Sequence, residues 1–312
     1  MKKINNNVLI CGIVKNCVKK ITNNIKLAIQ TGELFNNYKI IIYENNSNDG
    51  TKELLQKYSH NKIQNTNINI ISEDIDYETI RKNSKIWSYI QVTGSDHPCR
   101  IEQICNARNK IIDEINKTEY QNFNYIIWID LDSNGWSLEG IVDSFNKKNQ
   151  WDIIYANGIE KNKTYYDVYA LRGLNTYLGP EILGEHFWKN IKYIQLNSNQ
   201  LIPVYSAFGG IGIFKKNIYK KYRYDFIIND NVKYFYRKFL NETKVDNNIN
   251  EIIKRSDNTF PYGFIDETNS NIFWKSNSGY NNVVVCEHVC LNLELYNNGY
   301  KIYINPNMIY FR

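Results

Sequence analysis

The chain has 312 residues, 43% of them hydrophobic and 22% charged, with a formal net charge of +6. A chain of this length and apolar content can bury its own core, which excludes a disordered segment and a small disulfide- or metal-stapled scaffold. The basic excess is mild and spread along the sequence, which suits a small polyanionic ligand and argues against nucleic acid as a partner.

The first half alternates strand and helix. Val8–Val14 reads as a strand, and Val18–Phe35 as a helix with apolar residues at Ile21, Ile25, Leu27, Ala28 and Leu34. Tyr38–Tyr43 is a buried-type strand, Thr51–Tyr58 a short helix and Ile68–Ile71 a third strand. Arg100–Ile115 is helical, with Ile101, Ile104, Cys105, Arg108, Ile111 and Ile112 spaced by three and four. Tyr125–Leu131 is a hydrophobic central strand, followed by a helix over Ser137–Asn146. This alternation predicts an α/β fold, a mostly parallel sheet flanked by helices.

The second half is less regular. Trp151–Ala156 and Tyr166–Leu171 read as strands, and Gly184–Ile191 as a helix. Ser206–Phe214 is a glycine-containing turn, and Asp225–Asn282 is polar, with long loops and one added element expected. Glu287–Tyr296 is a helix closed by Asn297-Asn298-Gly299, and Lys301–Ile304 a last strand. With no linker or repeat in view, one domain over 1–312 is expected. Residues 1–150 would form its donor-binding half and 151–312 its acceptor-binding half.

Usage is skewed towards Asn, with 48 residues, beside 25 Tyr and only 5 Pro. Such usage follows AT-rich codons. The Asn-x-Ser/Thr triplets at Asn45, Asn116, Asn162 and Asn241 are therefore not read as glycosylation sites. Six cysteines form no C-x-x-C pair and lie in apolar runs, the pattern of buried free thiols in a reducing compartment. No apolar run approaches the roughly 20 residues of a membrane helix, and no signal peptide follows Met1. A soluble cytoplasmic protein without a transmembrane anchor is expected, and its oligomeric state is not legible.

Five constellations could carry chemistry. Asp130-Leu131-Asp132 closes the apolar Tyr125–Ile129 run, placing two hard oxygen donors beyond the carboxyl end of a strand, where open α/β sheets bind ligands. Glu44-Asn45-Asn46-Ser47-Asn48-Asp49-Gly50 ends a strand and opens a helix, a setting for binding a phosphate or ribose and equally for a plain turn. Arg100, Arg108 and Asn109 share the helix before the acidic strand, and an arginine can neutralise a diphosphate bidentately. Phe208-Gly209-Gly210 permits close backbone approach. Cys286-Glu287-His288 brings an acid and an imidazole to the start of a helix.

Taken in order, these elements resemble the nucleotide-sugar glycosyltransferases of the GT-A fold, with Ala107-Arg108-Asn109 similar to an element of fungal capsule-associated mannosyltransferases. The resemblance spans roughly residues 8–312, leaving Asp225–Asn282 unmatched. It implies transfer of a hexose from a UDP- or GDP-linked donor to a hydroxyl of a glycan or glycoprotein. It further implies a Mn²⁺ or Mg²⁺ ion held by Asp130 and Asp132, nucleoside contacts from Glu44, Asn45, Ser47 and Asp49, diphosphate contacts from Arg100, Arg108 and Asn109, and sugar contacts from Gly209 and Gly210. Relatives carry Glu-Asp where this chain has Glu287-His288. That leaves the base open between the two, with Glu287 the first candidate. No histidine follows His288, which makes it the candidate third metal ligand. Two rivals remain. A nucleotidyltransferase would want a glycine-rich loop after the first strand, and Cys11-Gly12-Ile13-Val14-Lys15-Asn16 is glycine-poor. A degenerate, non-catalytic binder would not need the Asp130/Asp132 pair.

Overall fold

A computed structural model describes residues 3–59, 67–85, 87–90, 95–174, 176–183, 187, 194–196, 198–242, 263–266, 271–274 and 284–312. The apolar runs of the first half form β1 (Ile4–Val14), β2 (Phe35–Asn45), β3 (Ile68–Glu73) and β6 (Tyr125–Ile129). Between them lie α1 (Val18–Glu33), α2 (Thr51–Ser59), α3 (Tyr77–Asn83) and α4 (Arg100–Ile115), with a hairpin of β4 (Trp87–Ile90) and β5 (Ser95–Pro98). α1 buries Ile21, Ile25 and Ala28, spaced by four and three. It stops at Glu33, earlier than the sequence predicts, because Phe35 opens β2 and packs edge-on against Phe145 at 4.8 Å. α3 is not foreseen. It buries no residue, so no apolar stripe announces it, and its start is fixed by the Asp76 carboxylate accepting the Thr79 N–H at 2.8 Å.

After α5 (Leu138–Asn146) come β7 (Ile153–Ile159), α6 (Pro180–Leu183), β8 (Ile202–Pro203) and β9 (Ile211–Lys215). Then follow α7 (Asp230–Glu242), the hairpin β10 (Gly263–Asp266) and β11 (Asn271–Trp274), α8 (Glu287–Asn297) and β12 (Ile302–Phe311). Tyr166–Leu171 is not the strand the sequence predicts. It is a turn segment in which the Asp167 carboxylate accepts the Ala170 N–H, a local bond that competes with strand pairing. Apart from Phe187, the helix expected over Gly184–Ile191 lies outside the described residues.

Eight strands form one sheet in the order β3-β2-β1-β6-β9-β7-β12-β8. β1, β2, β3 and β6 are parallel, as are β7 and β12. β9 lies antiparallel between β6 and β7, with Ile127 opposite Ile213 on one side and Ile154 opposite Ile213 on the other. Being antiparallel to both, β9 leaves β6 and β7 pointing the same way. The carboxyl ends of β1, β2, β6, β7 and β12 and the amino end of β9 thus share one sheet edge.

Strand side chains alternate between two cores. One face sends Leu9, Cys11, Ile126 and Trp128 towards α4 and α8, where Ile111, Ile112, Ile115, Val289 and Leu293 meet them. The other sends Val8, Ile10, Ile127 and Ile129 towards α1 and α5, onto Ile21, Ile25, Ile141 and Phe145. All six cysteines are buried and unpaired. No helix among the described residues is long and apolar enough to cross a membrane.

Candidate active site

The shared edge opens into a cleft of about 580 Å³. Residues that follow strands supply much of it: Lys15 and Asn16 after β1, Asp130 and Asp132 after β6, Arg312 after β12. α4 adds Arg100 and Arg108, and the start of α8 adds Glu287 and His288.

The Asp130–Asp132 turn is firmly held. The Asp130 N–H donates to the Gly210 carbonyl at 2.9 Å, and the Tyr310 hydroxyl donates to the Asp130 carbonyl at 3.1 Å. From α1, the Asn24 amide donates to the carbonyls of Leu131 and Ser133 at 2.7 and 3.0 Å, and Lys20 Nζ to that of Asp132 at 2.8 Å. Backbone and helix thus fix the turn, while both carboxylates point towards the cleft.

Arg108 forms the floor. Its Nη2 donates to Asp130 Oδ1 and its Nε to Glu287 Oε1, both at 3.2 Å. The guanidinium lies 4.8 Å from the Phe208 ring centre and 5.4 Å from that of Trp128. Burial works against its charge, but Asp130, Tyr224 and Glu287 outweigh that and hold it firmly protonated. Its Nη1 is buried without a partner, a donor left for something in the cleft. Burial pushes the Asp130 carboxyl up to about 6 despite Arg108, with Asp132 and Glu287 adding to the rise. Asp132 is half exposed and pairs with Arg312 Nη1 at 2.6 Å.

His288 does not join the aspartates. Its ring stacks on Phe208 at 3.9 Å, and among the described residues no three His, Cys, Asp or Glu side chains gather closely enough to cage an ion. Burial, with Arg108 nearby, drives its basicity well below the usual histidine range, so the imidazole is neutral. The expectation that it completes a metal site with the two aspartates is not met by this packing. The aspartates still suit a hard divalent ion, because Mg²⁺-type sites take one or two carboxylates and complete the shell with phosphate oxygens and water.

The Glu44–Asp49 segment turns out to be a structural clasp. Glu44 is fully buried, accepting from the Ser47 N–H at 2.8 Å and from the Ser72 hydroxyl. Ser47 Oγ accepts the Asn16 N–H at 3.0 Å, and Asp49 accepts the Val18 N–H at 3.0 Å, placing an anion on the first turn of α1. Of the four residues expected to meet the nucleoside, Asn45 alone lines the cleft. Asn109 faces away, clamping Tyr224 through both of its backbone groups at 2.9 and 3.0 Å. Gly209 and Gly210 have φ of +63° and +86°. The space a side chain would need there is filled by the Ala156 carbonyl and the Tyr310 ring, so these glycines serve the bend itself.

Three cleft residues escape sequence reasoning: Tyr166, Asp167 and Arg312. Asp167 accepts long bonds of 3.4 Å from the Ala170 and Gly209 N–H groups. Burial, with Asp130 and Glu287 nearby, raises its carboxyl to about 7. Tyr166 stacks on Tyr310 at 6.1 Å with Arg312 across its ring at 5.1 Å. Spacing offers no signal for Asp167, since its segment reads as strand. Arg312 did carry one, a charged residue ending an apolar strand as Asp130 does.

An α/β sheet with carboxylates and arginines collected at its carboxyl edge is the frame of a phosphate-ligand enzyme. The family profile described as Cryptococcal mannosyltransferase 1 matches residues 8–246, and the chain belongs to that family of glycosyltransferases. No curated protein sequence matches it significantly. Among solved structures, it resembles S. aureus TarS in complex with UDP-GlcNAc (12% identity, 98% of this chain and 57% of that one, TM-score 0.43). It also resembles GalNAc-T7 with UDP, GalNAc and Mn²⁺ (10%, 99% and 44%, TM-score 0.46). A third is PcManGT from Pyrobaculum calidifontis with GDP-Man and Mn²⁺ (10%, 70% and 47%, TM-score 0.37). The chain spans between 36% and 59% of the length of the TarS chains it matches.

Proposed function

We propose that this chain transfers a hexose, mannose in line with its family, from a nucleotide-diphosphate sugar to a hydroxyl of a glycan or glycoprotein. Arg108 carries the reading. It is a buried cation with one unpartnered N–H, set beside Asp130 at the carboxyl edge of the sheet. A departing diphosphate gains negative charge, and a pre-positioned guanidinium in a dry floor stabilises it without reorganising. Arg100 and Lys15, at the cleft wall, add positive potential along the approach. Asp130 and Asp132 would hold Mn²⁺ or Mg²⁺, which as a Lewis acid would neutralise the same developing charge. Arg312 yields Asp132 when that happens, since both compete for one carboxylate.

Glu287 is pinned by Arg108, so its first task is to orient that guanidinium while remaining a candidate base for the acceptor hydroxyl. The first 150 residues would hold the donor and the remainder the acceptor. Six unpaired thiols fit a reducing, cytoplasmic compartment. The deciding experiment is Asp132→Ala, assayed with GDP-mannose and UDP-sugars in Mn²⁺. Transfer should drop by about 10²-fold or more with unchanged circular dichroism. Wild-type turnover in the variant would refute the assignment.

A further inference from the structure

A second cavity of about 460 Å³ adjoins the cleft, and Tyr166 and Arg312 line both. Its remaining walls come from the turn after β7, including Glu160, Lys161, Asn162 and Thr164. None of its lining residues belongs to the first 150. A molecule held there therefore meets Asp132 across the Arg312 side chain, while the residues of β1, β2 and α4 face the main cleft.

The walls set a carboxylate, an ammonium, an amide and a hydroxyl beside tyrosine rings. That mixture of donors, acceptors and aromatic surface suits an uncharged polyhydroxylated ring, and the volume falls in the range of small-molecule sites. The turn is built to hold its shape. Asn162 Oδ1 accepts from the Thr164 N–H at 3.1 Å and the Thr164 hydroxyl at 2.6 Å, and Lys163 takes φ +65°.

Asp167, next in the chain to Tyr166, faces the main cleft. Asp130, Asp132 and Glu287 each have an arginine within 3.2 Å. Asp167 has no cationic partner among the described residues, and its two backbone bonds are long. A buried carboxylate so poorly compensated gains from any further donor. Its rise to about 7 reflects the same deficit.

We propose that the second cavity holds one sugar ring of the acceptor, and that Asp167 accepts the hydrogen bond of the hydroxyl presented to the donor. This rests on the transferase reading and adds to it where the acceptor sits.

Saturation-transfer NMR with methyl α-mannoside, methyl β-galactoside and methyl β-glucoside probes the cavity with no donor present. At least one glycoside should receive saturation from the wild-type protein. That signal should fall at least threefold in Asn162→Ala, a change on an exposed turn that spares the core. No signal from any of the three, or an equal signal in the variant, overturns the proposal. In turnover with the responding glycoside, Asp167→Ala should lower the ratio of transfer to donor hydrolysis at least tenfold, and an unchanged ratio overturns the role of Asp167. Failure of the transferase reading looks different. The wild-type protein would neither bind nor cleave a nucleotide sugar, and the glycoside NMR would still decide the cavity.

Discussion

Arg108 joins carboxylates from sequence-distant elements, Asp130 after β6 and Glu287 at the start of α8. Removing one partner from a buried pair leaves an uncompensated charge, at a cost of about 3–5 kcal/mol. Arg108→Ala therefore tests the fold as much as the chemistry, and Asp132, half exposed, is the cleaner probe. Asp167 makes a distinct prediction. Its carboxyl rises from an ordinary 3.8 to about 7 in the folded protein. Between those values the folded state binds more protons than the unfolded one, so stability falls as pH rises through the window. The contribution is fully present below about 3.8 and lost above about 7. Asp167→Asn removes the titration. Its Tm should match that of wild type near pH 4 and exceed it by a few degrees at pH 8, by calorimetry. A difference independent of pH would show that Asp167 is not the group responsible.

At the scale of elements, the clasp between the β1–α1 and β2–α2 loops decides how the nucleotide end of the cleft is shaped. Asp49 supplies the N-terminal acceptor that α1 lacks in its own chain, since Cys17 makes no side-chain cap. Asp49→Ala should cost about 1 kcal/mol in urea unfolding, the usual price of a lost cap, and donor affinity should fall less than for Arg100→Ala. Equal losses of affinity would restore Asp49 to the nucleoside contacts. This element also shows what a sequence discloses. Apolar periodicity places β1, β2, α4 and β6 almost to the residue, because burial demands it. Motif spacing finds Asp130, Asp132, Arg108 and Glu287, which the fold does bring together. The same polar pattern at Glu44–Asp49 serves equally for ligand contact and for loop tying, and only the observed partners separate the two. β9 reads as a turn because local sequence does not say which strands it will join. Asp167 was overlooked because its segment is a turn held by its own carboxylate.

For the whole molecule, the cleft gathers one end of six strands and the starts of two helices, so a ligand filling it stabilises the folded state alone. GDP-mannose or a UDP-sugar with Mn²⁺ should raise Tm by several degrees at 100 times Kd, equivalent to about 2.7 kcal/mol. Chelator should remove the metal-dependent part of the shift, and a shift unchanged in excess chelator would argue against an ion on Asp130 and Asp132. Both cores continue across the sheet without a break from α1 to β12, so the donor and acceptor halves share one hydrophobic interior.

The antiparallel placement of β9 has a consequence for how the polypeptide is made. While a ribosome has released only the first 150 residues, β6 has β1 on one flank and nothing on the other, because its second neighbour spans 211–215. That bare flank exposes the backbone of the most apolar strand in the chain, a template for pairing with stray strands. The nascent protein must wait for some sixty further residues before the seam closes, and chaperone engagement during synthesis would fall in that interval.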